Sequence, residues 1–255
     1  MTNGVLAIIG GSSLDQLAAL EDVRRREVAT PYGQPSGPLV FGRLNHREVV
    51  FLARHGESHQ LPPHKINYRA NVWALHEQGV SAVVSVATVG GIGAKFLAGT
   101  LTVPDQIIDY TWGRESTFFD GESGGAAAGV RHIDFTRPYD AATRAKILRC
   151  AQHAAIPLID GGTYATTQGP RLETAAEIQR LAQDGAHMVG MTGMPEAALA
   201  RELGLRYACL AVVVNAAAGI GASAQAIDLP VAEALARDAM TRVVRILMAL
   251  ADDGN

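Results

Sequence analysis

The residues best suited to chemistry in this chain are concentrated in Arg54-His55-Gly56-Glu57-Ser58-His59, directly after the apolar run 49–53. The run predicts a buried strand, so Arg54 and His55 would stand on a loop at its end, well placed to grip an anion. Arg54 offers a planar fork that matches phosphate, and Gly56 lets the backbone approach closely. A solvated loop with scattered charge would carry the same residues, so the anion site needs support from the rest of the chain. Zinc held by His55 and His59 at i and i+4 would require a helix. Gly56 and Pro62-Pro63 argue against one.

Several elements must position that loop. The run 5–9 is closed by Gly10-Gly11-Ser12-Ser13, a buried strand entering a donor-rich turn that could cradle a phosphate. That turn matches neither GxGxxG nor the Walker pattern, and as a plain strand-to-helix turn it needs no ligand. Residues 38–44 and 48–53 flank Asn45-His46 and predict a hairpin that delivers Arg54. The spacing of Trp73 and Leu75 predicts a helix over 68–78, stopped by Gly79. Residues 80–87 predict a central strand, followed by a second Gly-rich loop, Ala87-Thr88-Val89-Gly90-Gly91-Ile92-Gly93. A strand over 103–110 and a small-residue surface loop over 121–129 come next.

Helices are expected at 141–154, 173–183 and 195–203, the last with Pro195 at its first position and Gly204 beyond its end. Strands at 164–167, 187–190 and 207–214 alternate with them, and an amphipathic helix over 231–251 closes the chain. The alternation reads as a single three-layer α/β domain over 1–255, a central mixed sheet flanked by helices.

At 255 residues the chain can bury one substantial core. Its formal net charge of -3 supplies no basic field for nucleic acid or anionic lipid, and 5% aromatics are too few for a base-stacking platform. Cys150 and Cys209 form no CxxC pair and read as buried thiols in a reducing compartment. No signal peptide and no apolar run of roughly 20 residues is found, so a cytoplasmic protein without membrane partners is expected.

Arg54-His55-Gly56-Glu57 also resembles the phosphorylated-histidine motif of histidine phosphatases. That family carries the motif on its first strand, whereas here a complete strand and turn precede it. Polar groups of one kind recur after four strands: Ser12, Arg54 with His55, Thr88, and Thr192. Ligands of open α/β sheets gather at the carboxyl ends of strands, so these four predict a phosphate or carboxylate site.

The ordered set is more specific than any one motif. It comprises Ile9-Gly10-Gly11-Ser12, Arg54-His55-Gly56 with His59, Lys65-Ile66-Asn67-Tyr68 with Ala70-Asn71 and Trp73-Ala74-Leu75, and Val103-Pro104-Asp105-Gln106. Phe118-Phe119-Asp120-Gly121, Gly169-Pro170-Arg171 and Gly190-Met191-Thr192 with Pro195-Glu196 follow. Across nearly the whole chain this resembles the trimeric purine nucleoside phosphorylases, most closely their methylthioadenosine phosphorylase branch. The resemblance implies a nucleoside phosphorylase-like fold, a nucleoside and inorganic phosphate as substrates, no metal or other cofactor, and a homotrimer.

Residue by residue, it implies phosphate contacts from Ser12, Arg54, His55, Ala87, Thr88 and Thr192, with Met191 against the ribose. Leu172, Glu173, Asn215 and Ala217 fall at ribose and base positions. His132 matches a residue that reaches the 5′ end of the nucleoside in a neighbouring subunit, although an ordinary surface imidazole would look the same. His55 and Asn215 are the catalytic candidates. Phosphate attacks C1′ of a centre with oxocarbenium character, so the protein must hold the nucleophile and stabilise the departing purine.

The base pocket departs from the methylthioadenosine branch, which has Asp at the position matching Asn215 and a second Asp two residues on. Here the run is Val213-Val214-Asn215-Ala216-Ala217. An amide offers both donor and acceptor and can serve a 6-oxo group and N7. Glu173 matches the glutamate that accepts N1–H in 6-oxopurine phosphorylases, while also being a favourable first-turn acid. The segment 224–230 lacks the His of ordinary 6-oxopurine enzymes, leaving Ile227 or Leu229 to meet a methylthio group. The expected activity is phosphorolysis of 5′-methylthioinosine to hypoxanthine and 5-methylthioribose 1-phosphate. Alternatives are an inosine/guanosine phosphorylase, a methylthioadenosine phosphorylase with an unusual pocket, or a non-catalytic purine or phosphate sensor.

Overall fold

The computed structural model describes residues 4–11, 14, 17–121 and 129–252. Ser12 and residues 122–128 of the anticipated surface loop lie outside them. Among the described residues the chain forms β1 (Val5–Gly10), β2 (Glu21–Arg26), β3 (Leu39–Leu44), β4 (Arg47–Ala53), α1 (Tyr68–Glu77), β5 (Val80–Gly91), β6 (Leu101–Val103) and β7 (Gln106–Asp109). These are followed by α2 (Ala141–His153), β8 (Ile159–Asp160), β9 (Thr163–Thr166), α3 (Ala175–Gln183), β10 (Met188–Gly190), α4 (Gly193–Glu202), β11 (Arg206–Ala216) and α5 (Leu229–Asp252).

One mixed sheet holds all the strands, in the order β2-β3-β4-β1-β5-β10-β9-β7, with a branch in which β11 pairs with β5 and β6, and β6 with β8. β5 is the branch point. Its first half lies between parallel β1 and parallel β11, and its last residues pair antiparallel with β10, Met188 opposite Gly91. The carboxyl ends of β1, β4, β5 and β11 therefore point the same way. β10 runs back toward them, delivering Gly190-Met191-Thr192 beside the end of β5.

Strand alternation sorts side chains into two layers. Ala7, Ile9, Cys209, Ala211 and Val213 join a core with α1 and α4. Leu6, Ile8, Ala208, Leu210 and Val212 join one with α2 and α5. A one-residue slip of β11 would exchange the two sets, so burial on both faces fixes its register. Helix starts are set by side chains: Asn67 accepts from Ala70 N, Asp140 from Thr143 N, and Thr174 forms a capping box with Glu177. Met194 is extended at φ -122°, so regular helix in α4 begins at Pro195, whose missing N–H is harmless there.

Three expectations change. The second Gly-rich loop is strand as far as Gly91, because β10 and β11 supply hydrogen-bond partners to Val89, Gly90 and Gly91. The strand over 103–110 is two strands, β6 and β7, separated by Pro104-Asp105 and paired with different neighbours. The helix expected from 173 starts at Ala175 behind the Thr174 cap, which leaves Glu173 outside the helix.

Candidate active site

A cavity of about 770 Å³ opens where the ends of β1, β4, β5, β10 and β11 converge, roofed by the first turns of α5. Gly11, Arg54, His55, Ala87, Thr88 and Thr192 line one part of it. Leu172, Glu173, Met191, Val214 and Asn215 line another, and Leu229, Ala232, Glu233, Ala236 and Arg237 project from α5. Gly11 has to be glycine: a Cβ there would stand 2.5 Å from the Val86 carbonyl oxygen and 3.0 Å from Arg54 Nη1.

Arg54 is the most constrained residue of the site. Its side chain is fully buried, with Nε donating to Glu196 Oε2 at 2.7 Å and Nη2 to Glu196 Oε1 at 3.0 Å. Nη2 also donates to Ser85 Oγ at 2.7 Å, and Nη1 to the Val86 carbonyl at 2.9 Å. Tyr207 Oη donates to Glu196 Oε1 at 2.8 Å. Burial alone would lower the guanidinium pKa, but the charge and hydrogen bonds of Glu196 outweigh it and hold the group above its ordinary value.

This corrects the picture of Arg54 as a free fork. The bidentate face is spent on Glu196, and of five N–H groups one hydrogen on Nη1 remains. Charge is cancelled within the cavity floor, so Arg54 offers a fixed donor rather than a bare cation.

His55 accompanies it. Leu61 N donates to the His55 carbonyl at 2.9 Å, and His55 Nδ1 stands 2.8 Å from the Leu61 carbonyl. A carbonyl only accepts, so Nδ1 carries hydrogen and the neutral ring keeps its lone pair on Nε2. Burial, then the charge of Arg54, push the imidazole down to about 4, against the opposing pull of the Leu61 bond. His59 stacks on His55 at a ring distance of 4.6 Å. Gly56 turns the loop between them at φ +81°.

Asn215 owes its aim to a β-bulge. The pairing of β11 with β5 shifts between Val213 and Asn215, so Val214 is an extra residue and neighbours Val214 and Asn215 both reach the cavity. Asn215 Nδ2 donates to the Ala216 carbonyl at 2.6 Å, leaving its second hydrogen and Oδ1 for a ligand. Glu173, half-buried in the loop before α3, accepts from Thr167 Oγ1 at 2.6 Å. The first-turn acid of α3 is Glu177, so dipole placement does not explain Glu173.

Three anticipated site residues stand elsewhere. Ala217 is buried with Ala165, Ile178, Leu181 and Val189, its N–H bonded to the Gly91 carbonyl, and does not line the cavity. Ala217 lies just past the end of β11, where its N–H bond to Gly91 carries the chain away from the cavity. Ile227 is half-buried and outside the lining, whereas Leu229 lines it from the first turn of α5. Asp228 is engaged there in capping, accepting from Val231 N. His132 is exposed and away from this chain's own cavity.

The residues missed from sequence are Glu196 and the α5 face beyond Leu229. Glu196 was part of a motif but had no assigned partner, since Arg54 lies 142 positions away. Leu229, Ala232, Glu233, Ala236 and Arg237 recur at i, i+3, i+4, i+7 and i+8, a one-faced pattern that was available.

Among the described residues, no three His, Cys, Asp or Glu side chains cluster to hold a metal ion, and no helix is long and apolar enough to cross a membrane. The strand-end cavity brings hydroxyl donors, an amide and a carboxylate to one place, a set whose chemistry suits an anion and a nitrogenous base. Residues 5–250 match the phosphorylase superfamily, and the chain belongs to that family.

Its relatives are specific. It is 55% identical over 216 residues to a probable S-methyl-5′-thioinosine phosphorylase of Xanthomonas campestris pv. campestris, covering 85% of each chain. It is 46% identical to a 6-oxopurine nucleoside phosphorylase of Pyrococcus furiosus, over 84% of this chain and 80% of that one. Among solved structures, methylthioadenosine phosphorylase from Schistosoma mansoni in complex with adenine superposes with a TM-score of 0.92. The two are 32% identical, over 97% of this chain and 91% of that one.

Proposed function

We propose that the protein splits 5′-methylthioinosine reversibly with phosphate into hypoxanthine and 5-methylthioribose 1-phosphate. The observation that carries this reading is the pairing of Glu173 and Asn215 on one cavity. Hypoxanthine presents a proton on N1 and an acceptor at O6, which a carboxylate and an amide N–H complement; adenine reverses both. The names of the Xanthomonas and Pyrococcus relatives support a 6-oxopurine, and the exposed apolar Leu229 supports a methylthio group at the 5′ end.

Phosphate sits against Arg54 Nη1, Thr88 and Thr192 and attacks C1′ from there, with Met191 against the ribose. No metal takes part; inorganic phosphate is a co-substrate. Asn215 directs an N–H toward O6 or N7 as negative charge builds on the departing base. The active form is a homotrimer in which His132 completes a neighbour's site. The exposure of Val130, at 80%, supports that role for the segment. A reducing cytoplasm suits the two buried free thiols, Cys150 and Cys209.

Release of free base from methylthioinosine, methylthioadenosine and inosine, each with and without phosphate, tests the reading. Phosphate-dependent cleavage with methylthioinosine preferred is expected. Preference for methylthioadenosine would overturn the base assignment, and absence of phosphate-dependent cleavage would point to a sensor.

A further inference from the structure

We infer that Thr167 is a positioning residue for base selectivity, holding Glu173 so that one carboxylate oxygen alone is presented to the purine; the inference rests on the base-pocket reading above.

Thr167 follows β9 and has both backbone groups fixed. Its N–H donates to the Gly190 carbonyl at 2.8 Å, and its own carbonyl accepts from Arg114 Nη2 at 3.3 Å. Arg114 Nη1 also donates to the Met191 carbonyl at 2.9 Å, tying the Thr167 segment to the loop behind the ribose position. A β-branched side chain on so constrained a backbone has few rotamers, so Oγ1 is held in place.

Oγ1 has one hydrogen and two acceptors in range: Glu173 Oε1 at 2.6 Å and the Gly190 carbonyl at 3.3 Å. Gly190 O already accepts from Thr167 N, and the Glu173 bond is much shorter, so the hydrogen goes to the carboxylate. Oε1 thereby spends one of its two lone pairs on Thr167 and is held in place, and Oε2, which accepts no protein hydrogen bond among the described residues, is turned to N1–H of the base. Glu173 carries three rotatable side-chain bonds and sits outside α3, and among the described residues Thr167 is the group that hydrogen-bonds its carboxylate, while nearby Arg171 contributes charge alone.

The test compares wild type with Thr167→Val, Thr167→Ser, Glu173→Gln and the Thr167→Val/Glu173→Gln double variant. The readouts are kcat/KM for methylthioinosine and for methylthioadenosine, the KM for phosphate, and the thermal midpoint. Thr167→Val is expected to lower the methylthioinosine preference about tenfold through the nucleoside KM, with phosphate KM within about twofold of wild type. Thr167→Ser, which keeps the hydroxyl, should retain the preference. The double variant should discriminate no worse than Glu173→Gln alone, since both changes remove one arrangement.

A Thr167→Val enzyme with the wild-type preference, or a double variant whose losses multiply, overturns the inference. So does a Thr167→Val loss that raises phosphate KM to the same degree, because the segment would then be acting as general scaffold. If Glu173→Gln collapses the preference while Thr167→Val does not, the inference fails and the base-pocket reading survives. If Glu173→Gln itself leaves the preference unchanged, both fall.

Discussion

Arg54 and Glu196 meet in a two-point fork, Nε to Oε2 at 2.7 Å and Nη2 to Oε1 at 3.0 Å, with neither side chain reaching solvent. Both charges depend on this contact, since the surrounding bonds from Ser85, Val86 and Tyr207 satisfy hydrogens and lone pairs without supplying a counter-charge. Glu196→Ala leaves a cation in the core and should cost about 3–5 kcal/mol of stability, read from urea unfolding. A loss below about 1 kcal/mol would mean that water or another acid compensates.

Arg54→Lys separates charge from geometry. An ammonium restores the positive charge but cannot span both Glu196 oxygens, Ser85 and Val86 while aiming a hydrogen into the cavity. Phosphate KM should rise roughly tenfold or more, with the KM for nucleoside changing much less. An unchanged phosphate KM would remove Arg54 from the anion site.

His55 gives the fold a pH dependence of definite sign. Its native imidazole is pushed down to about 4, below the unfolded value near 6.5, so the unfolded chain binds the extra proton between those limits. The stability tied to neutral His55 is fully present above about pH 6.5 and is lost as pH falls toward 4. Its span is on the order of 3 kcal/mol. Urea midpoints at pH 7.5 and 4.5 in phosphate-free buffer should differ less in His55→Gln than in wild type. Equal slopes would show that His55 is not the group responsible.

Asn215→Asp tests the amide end of the pocket. Replacing the Nδ2 donor by a second carboxylate near Glu173 removes the hydrogen bond to O6 or N7 and adds like charge. Activity on methylthioinosine should fall about tenfold or more, while the gap to methylthioadenosine narrows. Parallel kcat/KM measurements decide it, and a widened gap would refute the assignment.

Assembly is tested through His132. If it completes a neighbour's site, sedimentation of the active enzyme should give three subunits, and His132→Ala should raise the methylthioinosine KM without altering phosphate KM. A fully active monomer would contradict the shared site.

Legibility in the sequence followed burial. Residues 5–9 and 49–53 announce themselves as continuous apolar runs of strand length, and the strand-end position of Arg54 follows directly. β2 was invisible: Glu21–Arg26 reads EDVRRR, every residue is exposed, and it is a strand only because β3 offers an edge. Thr88 to Gly91 looked like a loop because glycine weakens local strand preference, and only β10 and β11 reveal why it stays extended. Thr88 and Thr192 are legible as hydroxyls on loops after strands, Asn215 as a polar residue ending an apolar strand, and Glu173 only through the family resemblance. The Glu196 counter-ion and the rotation of Asn215 by a bulge depend on contacts between distant segments, and no local pattern encodes either.

The antiparallel return of β10 along the end of β5 has a consequence for how the two substrates sense each other. Thr192 and Met191 are adjacent on one short segment, so a ligand that orders one also orders the other. The same segment is anchored to Arg114 through the Met191 and Met194 carbonyls and cannot shift piecemeal. On the roles proposed for these two residues, phosphate and nucleoside should be thermodynamically linked, each tightening the other's dissociation constant by the same factor, however the enzyme is first loaded.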